Sequence, residues 1–286
     1  SQATDVSAAI TMATVVGGAM FGDNLSIISD TTIAAVRTQK TKMSDKFKVN
    51  IKIVLPGAIF TIIALWFLTN GAHIDANKSY DYDLVKVIPY LFVLILALIG
   101  VNVVIVLIGG IVLSAIIGLI YGSFGWTGLL SSISKGIIGM EDIAIIALLI
   151  GGLVALIQHY GGITWLLNFV RSKVKSKRGA ELGIAGLVSV ADISTANNTI
   201  SILMAGPLAK DISEEYDVDP RKSASILDMF ASCFQGMLPY SPQLIAAAGV
   251  ASISPFELVP YAIYPMILGV CGLIAIFFRL PRLDKK

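Results

Sequence analysis

The sequence predicts an all-α integral membrane fold in which crossing helices break at depth and one pair of helical arms forms a re-entrant hairpin. Composition is the first reason. The 286 residues are 56% hydrophobic and only 14% charged, where a soluble domain carries about 25% charged residues. The second reason is that apolar runs near the roughly 20 residues needed to span a bilayer recur along the chain. The third is that polar knots interrupt these runs, at 22–32, 191–199 and 236–242.

Val6–Val36 reads as one crossing broken by Gly22-Asp23-Asn24-Leu25-Ser26-Ile27-Ile28-Ser29-Asp30-Thr31-Thr32. Each ionised carboxylate held at membrane depth costs roughly 2.5–3.5 kcal/mol, so Asp23 and Asp30 need a partner or a function. Val49–Thr69 is a second span, bent at Pro56-Gly57. Leu84–Gly100 and Asn102–Tyr121 follow as a tight pair, with Asn102 at the turn. The Gly/Ser-rich segment 122–142 suits the interface, and Glu141-Asp142 an N-cap to the next crossing, Ile143–His159. Ile163–Val174 is an amphipathic surface segment with a basic tail.

In 182–206, short apolar arms flank Ala191-Asp192-Ile193-Ser194-Thr195-Ala196-Asn197-Asn198-Thr199. Neither arm is long enough to cross, which predicts a re-entrant hairpin. Leu208–Asp219 reads as a charged surface helix ended by Pro220. Ser223–Val250 is a second broken crossing, interrupted at 236–242, and Pro255–Phe278 is the last span. Trp126 and Trp165 fit interfacial anchors. Cys233 and Cys271 lack metal-ligand spacing and read as core residues. His159 reads as interfacial and His73 as solvated.

Basic residues crowd 37–52, 171–178 and the tail after Phe278, while 70–83 holds Asp75, Asp81 and Asp83 against Lys78. The positive-inside rule makes the basic clusters cytoplasmic. With the hairpin entering and leaving from inside, the crossings alternate consistently. The net charge of +2 is too small to suggest a nucleic acid partner. The expected partners are a transported cation for the carboxylates at depth and the lipid bilayer, with a homodimer left open, and the expected location is the inner (plasma) membrane in multi-pass form.

Setting Phe21 against Phe234 pairs Leu25 with Leu238 and Ala34-Ala35 with Ala247-Ala248; short gaps then pair Ser44 with Ser254 and Pro56 with Pro265. The two broken crossings run in opposite directions under the topology above. Inverted repeats with discontinuous helices characterise secondary transporters, whose substrate site lies at the repeat interface. Residues 1–83 are then the end of a first repeat and 84–286 a second, and the chain reads as part of a longer protein whose front is missing.

The stretch from Gly22 to Thr32 resembles the Gly-Asp-Lys-Leu-Ser-Pro-Leu-Ser-Asp-Thr-Thr signature of NhaC-type sodium/proton antiporters. It departs at Asn24, where Lys is usual, and at Ile27, where Pro is usual. Pro89–Gly122 and Asp228–Pro242 are similar to later segments of that family. The resemblance implies the ion transporter superfamily fold and exchange of external protons for internal Na⁺, with no cofactor besides the transported ions.

A small hard cation leaving water needs oxygen ligands. Candidate ion-binding residues are Asp23, Asn24, Ser26, Ser29, Asp30, Thr31 and Thr32 in the first knot, and Asp192, Ser194, Thr195, Asn197, Asn198 and Thr199 in the hairpin. Backbone freed around Gly236, Pro239, Ser241 and Pro242 can add carbonyls. Asp228, within an apolar helix, is the candidate for the proton path. Burial disfavours a charged carboxylate and a bound cation favours it, so one group that both ions contend for couples them.

The plainer roles are helix capping for Asp30-Thr31-Thr32 and a turn for the hairpin tip. A sodium-coupled carrier of a small organic solute or amino acid is the alternative function. An anionic cargo wants a positive side chain in the site, and no Lys or Arg is expected at depth, Lys52 and Lys86 standing at the ends of their spans. An intramembrane aspartyl protease is the remote alternative, since Phe21-Gly22-Asp23 matches its Gly-x-Gly-Asp pattern only in part, with Met20 in place of the first Gly.

Overall fold

The computed structural model describes residues 6–26, 29–72, 84–99, 101, 103–162, 165, 168–169, 172, 174–281 and 283. No strand occurs among the described residues. The helices are α1 (Ala8–Leu25), α2 (Asp30–Thr38), α3 (Met43–Thr69), α4 (Ile88–Ile99), α5 (Val103–Ile120) and α6 (Trp126–His159), then α7 (Lys177–Thr195), α8 (Asn198–Glu215), α9 (Pro220–Gln235), α10 (Pro242–Ala251), α11 (Pro255–Leu258) and α12 (Ile263–Phe277). Ile27, Ile28, the acidic part of the 70–83 loop with His73, Gly100, Asn102 and most of 163–174 lie outside the described residues. Two compact units result, Ser1–His73 with Ile143–Lys286, and Ile74–Asp142.

In the first unit, both expected breaks are helix breaks. α1 ends at Leu25 and α2 restarts at Asp30, with Ser29 as N-cap accepting from the Thr32 amide at 3.3 Å. An acid in the first turn and Arg37 in the last complement the helix dipole of α2. α9 ends at Gln235 and α10 restarts at Pro242, a proline at N1 where its missing N–H costs nothing. Between α7 and α8 the chain reverses through Ala196, which takes a left-handed φ of 48°, and Asn197, which caps α8 by accepting from the Ile200 amide.

Boundaries differ from expectation in four places. α6 runs unbroken from Trp126, so 126–142 continues into the following helix, and Glu141 and Asp142 lie inside it rather than at an N-cap. α8 runs through Pro207 to Glu215, so the expected separate helix at 208–219 is the outer end of the hairpin arm. The last long helix begins at Ile263; Pro255–Tyr261 instead turns 101° from α10, and Ser254 and Glu257 form a capping box there. α3 begins at Met43, six residues before the expected span, which draws Lys46 out of the basic loop and into a helix.

Two apolar clusters meet along α9. One joins Ile184, Leu187 and Val188 of α7 to Ile202 and Ile212 of α8 and Leu227 of α9. The other joins Met20, Val49, Ile53, Val54 and Leu268 to Met229. Asp228 falls between Leu227 and Met229, at the seam. The outward faces stay apolar: Ile59, Phe60, Ile62, Trp66 and Phe67 of α3 are exposed, as lipid contact requires. Among the described residues α3 is the one helix long and apolar enough to cross a bilayer alone; α4, α5 and α12 are shorter apolar helices.

In the second unit, α4 packs closely against α5. A Cβ on Gly109 would sit 3.0 Å from the Phe92 ring, and one on Gly110 would sit 2.5 Å from Val93. Small residues of this kind let membrane helices approach.

Candidate functional site

The first break and α9 place most of the expected residues around one buried centre. Asn24, in the last turn of α1, is fully enclosed; its Nδ2 donates to the Met20 carbonyl at 3.0 Å and to the Tyr264 hydroxyl at 3.2 Å. Its Oδ1 is buried with no hydrogen-bond partner. Asp23 is half-buried and accepts from Thr31 Oγ1 at 3.3 Å. It also lies within electrostatic reach of Asp228 and Asp30. Ser29 donates to the Asp23 carbonyl, and Thr32 Oγ1 donates to the Ser26 carbonyl at 3.1 Å, so side chains bridge the broken helix ends.

Asp228 is fully buried on α9. Its Oδ2 accepts from Lys46 Nζ at 2.6 Å and from Asn50 Nδ2 at 2.9 Å, while its Oδ1 is buried without a partner. Lys46 also donates to Thr32 Oγ1 at 2.7 Å. Asn50 donates as well to the Asn24 carbonyl at 2.9 Å and accepts from Ser225 Oγ. The sequence reading leaves Lys46 in a basic loop; the structure instead places it in the first turn of α3, 1% exposed and paired with Asp228. Local charge density in 37–52 hid it.

Lys46 and Asn50 were missed, as were Ser225, Gln235 and Tyr264. Two signals pointed to all of these but Tyr264. Lys46, Asn50, Ile53 and Gly57 share one face of α3 at spacings of four, three and four, and that face is buried. Ser225, Asp228, Ser232 and Gln235 form a polar stripe at three, four and three along α9.

The hairpin tip reaches the same centre by its edge. Thr199 Oγ1 donates to Asp30 Oδ2 at 2.6 Å. Gln235, at the end of α9, accepts from the Asn198 amide at 3.0 Å and donates to the Ala196 carbonyl at 3.3 Å, holding the tip against the second break. Tyr240, in that break, donates to the Ile193 carbonyl at 2.7 Å. Ser194 and Thr195 are engaged locally, with the Val190 carbonyl and with Asn197.

Asp192 stands apart from the Asp228 centre. It is fully buried, accepts from Ser201 Oγ at 3.3 Å, and leaves Oδ2 without a partner. In the second break Ser241 Oγ is also buried without a partner, while Pro239 and Pro242 flank it. Gly236 is required by space: a Cβ there would lie 2.4 Å from Pro265 Cγ and 2.6 Å from Met20 Cε.

Chemically, the first break, α3 and α9 bring Thr32, Asn50 and Asp228 into one hydrogen-bonded network with the ammonium of Lys46, and the hairpin tip joins its edge through Asp30. Among the described residues two oxygens of this network, Asp228 Oδ1 and Asn24 Oδ1, are buried without a hydrogen-bond donor.

The chain is 22% identical over 280 residues to the malate-2H(+)/Na(+)-lactate antiporter of Bacillus subtilis strain 168, covering 86% of this chain and 59% of that protein. It is 23% identical over 304 residues to the Na(+)/H(+) antiporter NhaC of the same organism, covering 92% of this chain and 66% of that one. An uncharacterized Haemophilus influenzae protein is 31% identical over 100 residues, 35% of this chain and 19% of its own length. The chain thus spans less than two thirds of the first two relatives. No solved structure matches it. The sequence profile of the Na⁺/H⁺ antiporter family matches residues 18–280. That family consists of integral membrane transporters and not enzymes, which removes the protease alternative. Nearly the whole chain is covered by the match, and the chain belongs to the Na⁺/H⁺ antiporter family.

Proposed function

We propose that the chain carries the ion-exchange site of a secondary antiporter that trades Na⁺ for H⁺ across the plasma membrane. One observation carries the reading. Asp228 pairs with the enclosed ammonium of Lys46, while Asp23 lies within electrostatic reach of both Asp228 and Asp30, so the described residues of the centre hold more carboxylates than cations. Such an excess beside the half-buried Asp23 favours a proton or a metal ion among these carboxylates. Alternate occupation of those oxygens by Na⁺ and H⁺ couples the two fluxes. An inverted pair of broken helices, the first at 26–29 and the second at 236–241, would let the centre face each side of the membrane in turn.

The test is dissipation of a preset pH gradient in everted vesicles. Addition of Na⁺ should collapse the gradient when the chain is present, and Asp228→Asn should abolish the response. A response that needs no Na⁺, or one that survives in both Asp23→Asn and Asp228→Asn, overturns the reading.

A second reading, a sodium-coupled carrier of an organic anion, gains support from Lys46 and from the name of the first relative. Asp228 already neutralises that ammonium, however, and the surrounding charge repels an anion. Counterflow of labelled malate or lactate tests this directly. Na⁺-dependent uptake with no Na⁺-driven proton movement would favour it over exchange.

A further inference from the structure

We propose that Lys46 is a tethered competitor for the transported cation, its ammonium occupying at Asp228 the place that Na⁺ takes during exchange. This rests on the antiport reading above and adds to it a residue that sets cation affinity.

The ammonium's contacts are those of a bound cation. Nζ sits 2.6 Å from a carboxylate oxygen of Asp228 and 2.7 Å from the hydroxyl oxygen of Thr32. These two oxygens come from different elements, the middle of α9 and the first turn of α2 after the break. Two further oxygens lack hydrogen-bond partners among the described residues: Asp228 Oδ1, on the same carboxylate, and Asn24 Oδ1, both buried. Asn50 ties the two together, donating to Asp228 Oδ2 and to the Asn24 carbonyl.

A purely structural purpose explains the pair poorly. Taking both charges out of water costs several kcal/mol per ion, and apolar residues of similar volume often serve packing as well or better. Lysine, with a compact charge on a flexible four-carbon stem, can leave the carboxylate without moving the backbone. An incoming monovalent cation would neutralise Asp228 just as the ammonium does. The carboxylate is then never left both buried and bare.

Competition has a quantitative consequence. If the ammonium holds the site about nine-tenths of the time, removing it tightens apparent cation binding about tenfold. The experiment is calorimetric titration of Na⁺ into the purified chain at fixed pH, with choline as control. Lys46→Gln should bind Na⁺ about tenfold tighter than wild type, and its melting temperature should rise more with Na⁺ than wild type's does. Lys46→Arg keeps a cation on Asp228 and should bind no tighter than wild type. Lys46→Gln combined with Asp228→Asn should lose the gain.

If Lys46→Gln folds only in Na⁺, that rescue supports the proposal; if it fails to fold in either salt, the proposal is overturned. Wild type that binds Na⁺ while Lys46→Gln binds it equally or more weakly overturns the proposal and leaves the antiport reading standing. Absence of Na⁺ binding in every form overturns both.

Discussion

Thr199 Oγ1 donates to Asp30 Oδ2 at 2.6 Å, joining the tip of the α7–α8 hairpin to the first turn of α2 beyond the first break. The two residues are 169 positions apart, and their bond lies on the exposed edge of the centre. A hydrogen bond to a carboxylate in such a place adds little to global stability. Its value is geometric, because it fixes which way Asp30 faces. Thr199→Val keeps the shape and removes the donor. The expected result is a melting temperature close to wild type with a several-fold rise in the Na⁺ concentration for half-maximal exchange. An unchanged Na⁺ dependence would show that the tip bond does not orient Asp30 for ion binding.

Asn50 donates to the Asn24 carbonyl and to Asp228, and accepts from Ser225. Asn50→Ala strands several buried polar groups at once. Each loss of that kind costs about 1–3 kcal/mol, so Asn50→Ala should be among the most destabilising changes in α3. Thermal unfolding in detergent measures it, with Asn50→Ala compared against a lipid-facing Ile62→Ala control, which should be near neutral.

Much of the arrangement was legible in the chain. The polar knot 22–32 and the Pro239–Pro242 stretch mark breaks because apolar helices rarely carry such residues without interruption; both breaks are present, the first at 26–29 with Gly22-Asp23-Asn24 still helical. The hairpin was visible as polar residues between short apolar arms. Its true arm length was not, because a surface helix after Pro207 and the end of a buried arm look alike locally. Lys46 was illegible by charge counting for a related reason. A lysine three residues into a helix and a lysine in a loop differ only in what packs on them, and the partner, Asp228, is 182 residues away. Helical spacing on α3 and α9 would have exposed both faces, since the polar stripe Ser225, Asp228, Ser232 and Gln235 cannot all be lipid-facing.

Gly236 sets how closely α9 approaches its neighbours. With a Cβ there lying 2.4 Å from Pro265 and 2.6 Å from Met20, Gly236→Ala must push α12 or α1 away. Overpacking of this kind costs about 1–3 kcal/mol. The same displacement would open the contact of Tyr264 with Asn24, so exchange should fall along with melting temperature. Met20→Ala in the same chain should recover part of both by vacating one side.

Asp219, at the N-cap of α9, lies outside the spans and offers a pH test. Burial alone would raise its carboxyl, but the Arg221 side chain and amide outweigh that and hold it below the usual carboxylate range. A depressed folded value stabilises the protein above the unfolded value, about pH 4, and that contribution fades as pH falls through the folded one. Asp219→Ala should cost about 1 kcal/mol near neutrality, the usual worth of a cap. The gap between variant and wild type should narrow below about pH 4, which melting curves taken across that range would show.

Asp192 decides whether the hairpin holds a second ion position or only supports the first. It is enclosed, it keeps one contact to Ser201, and its other oxygen has no partner, so a carboxylate in this place has no evident structural need for its charge. Asp192→Asn keeps the size and an acceptor for Ser201 while deleting the charge. If the carboxylate serves ions, the variant should fold with a melting temperature at or above wild type and lose Na⁺-dependent exchange by tenfold or more, about 1.4 kcal/mol in the free energy of the rate. Among the described residues the Asp192 carboxylate contacts Ser201 and neither Lys46 nor Asp228, so combining Asp192→Asn with Lys46→Gln should give additive changes in Na⁺ affinity within about 0.5 kcal/mol. Strong non-additivity in calorimetry would instead mean that one ion is shared between the hairpin and the Asp228 centre, which places both carboxylates on a single transport site.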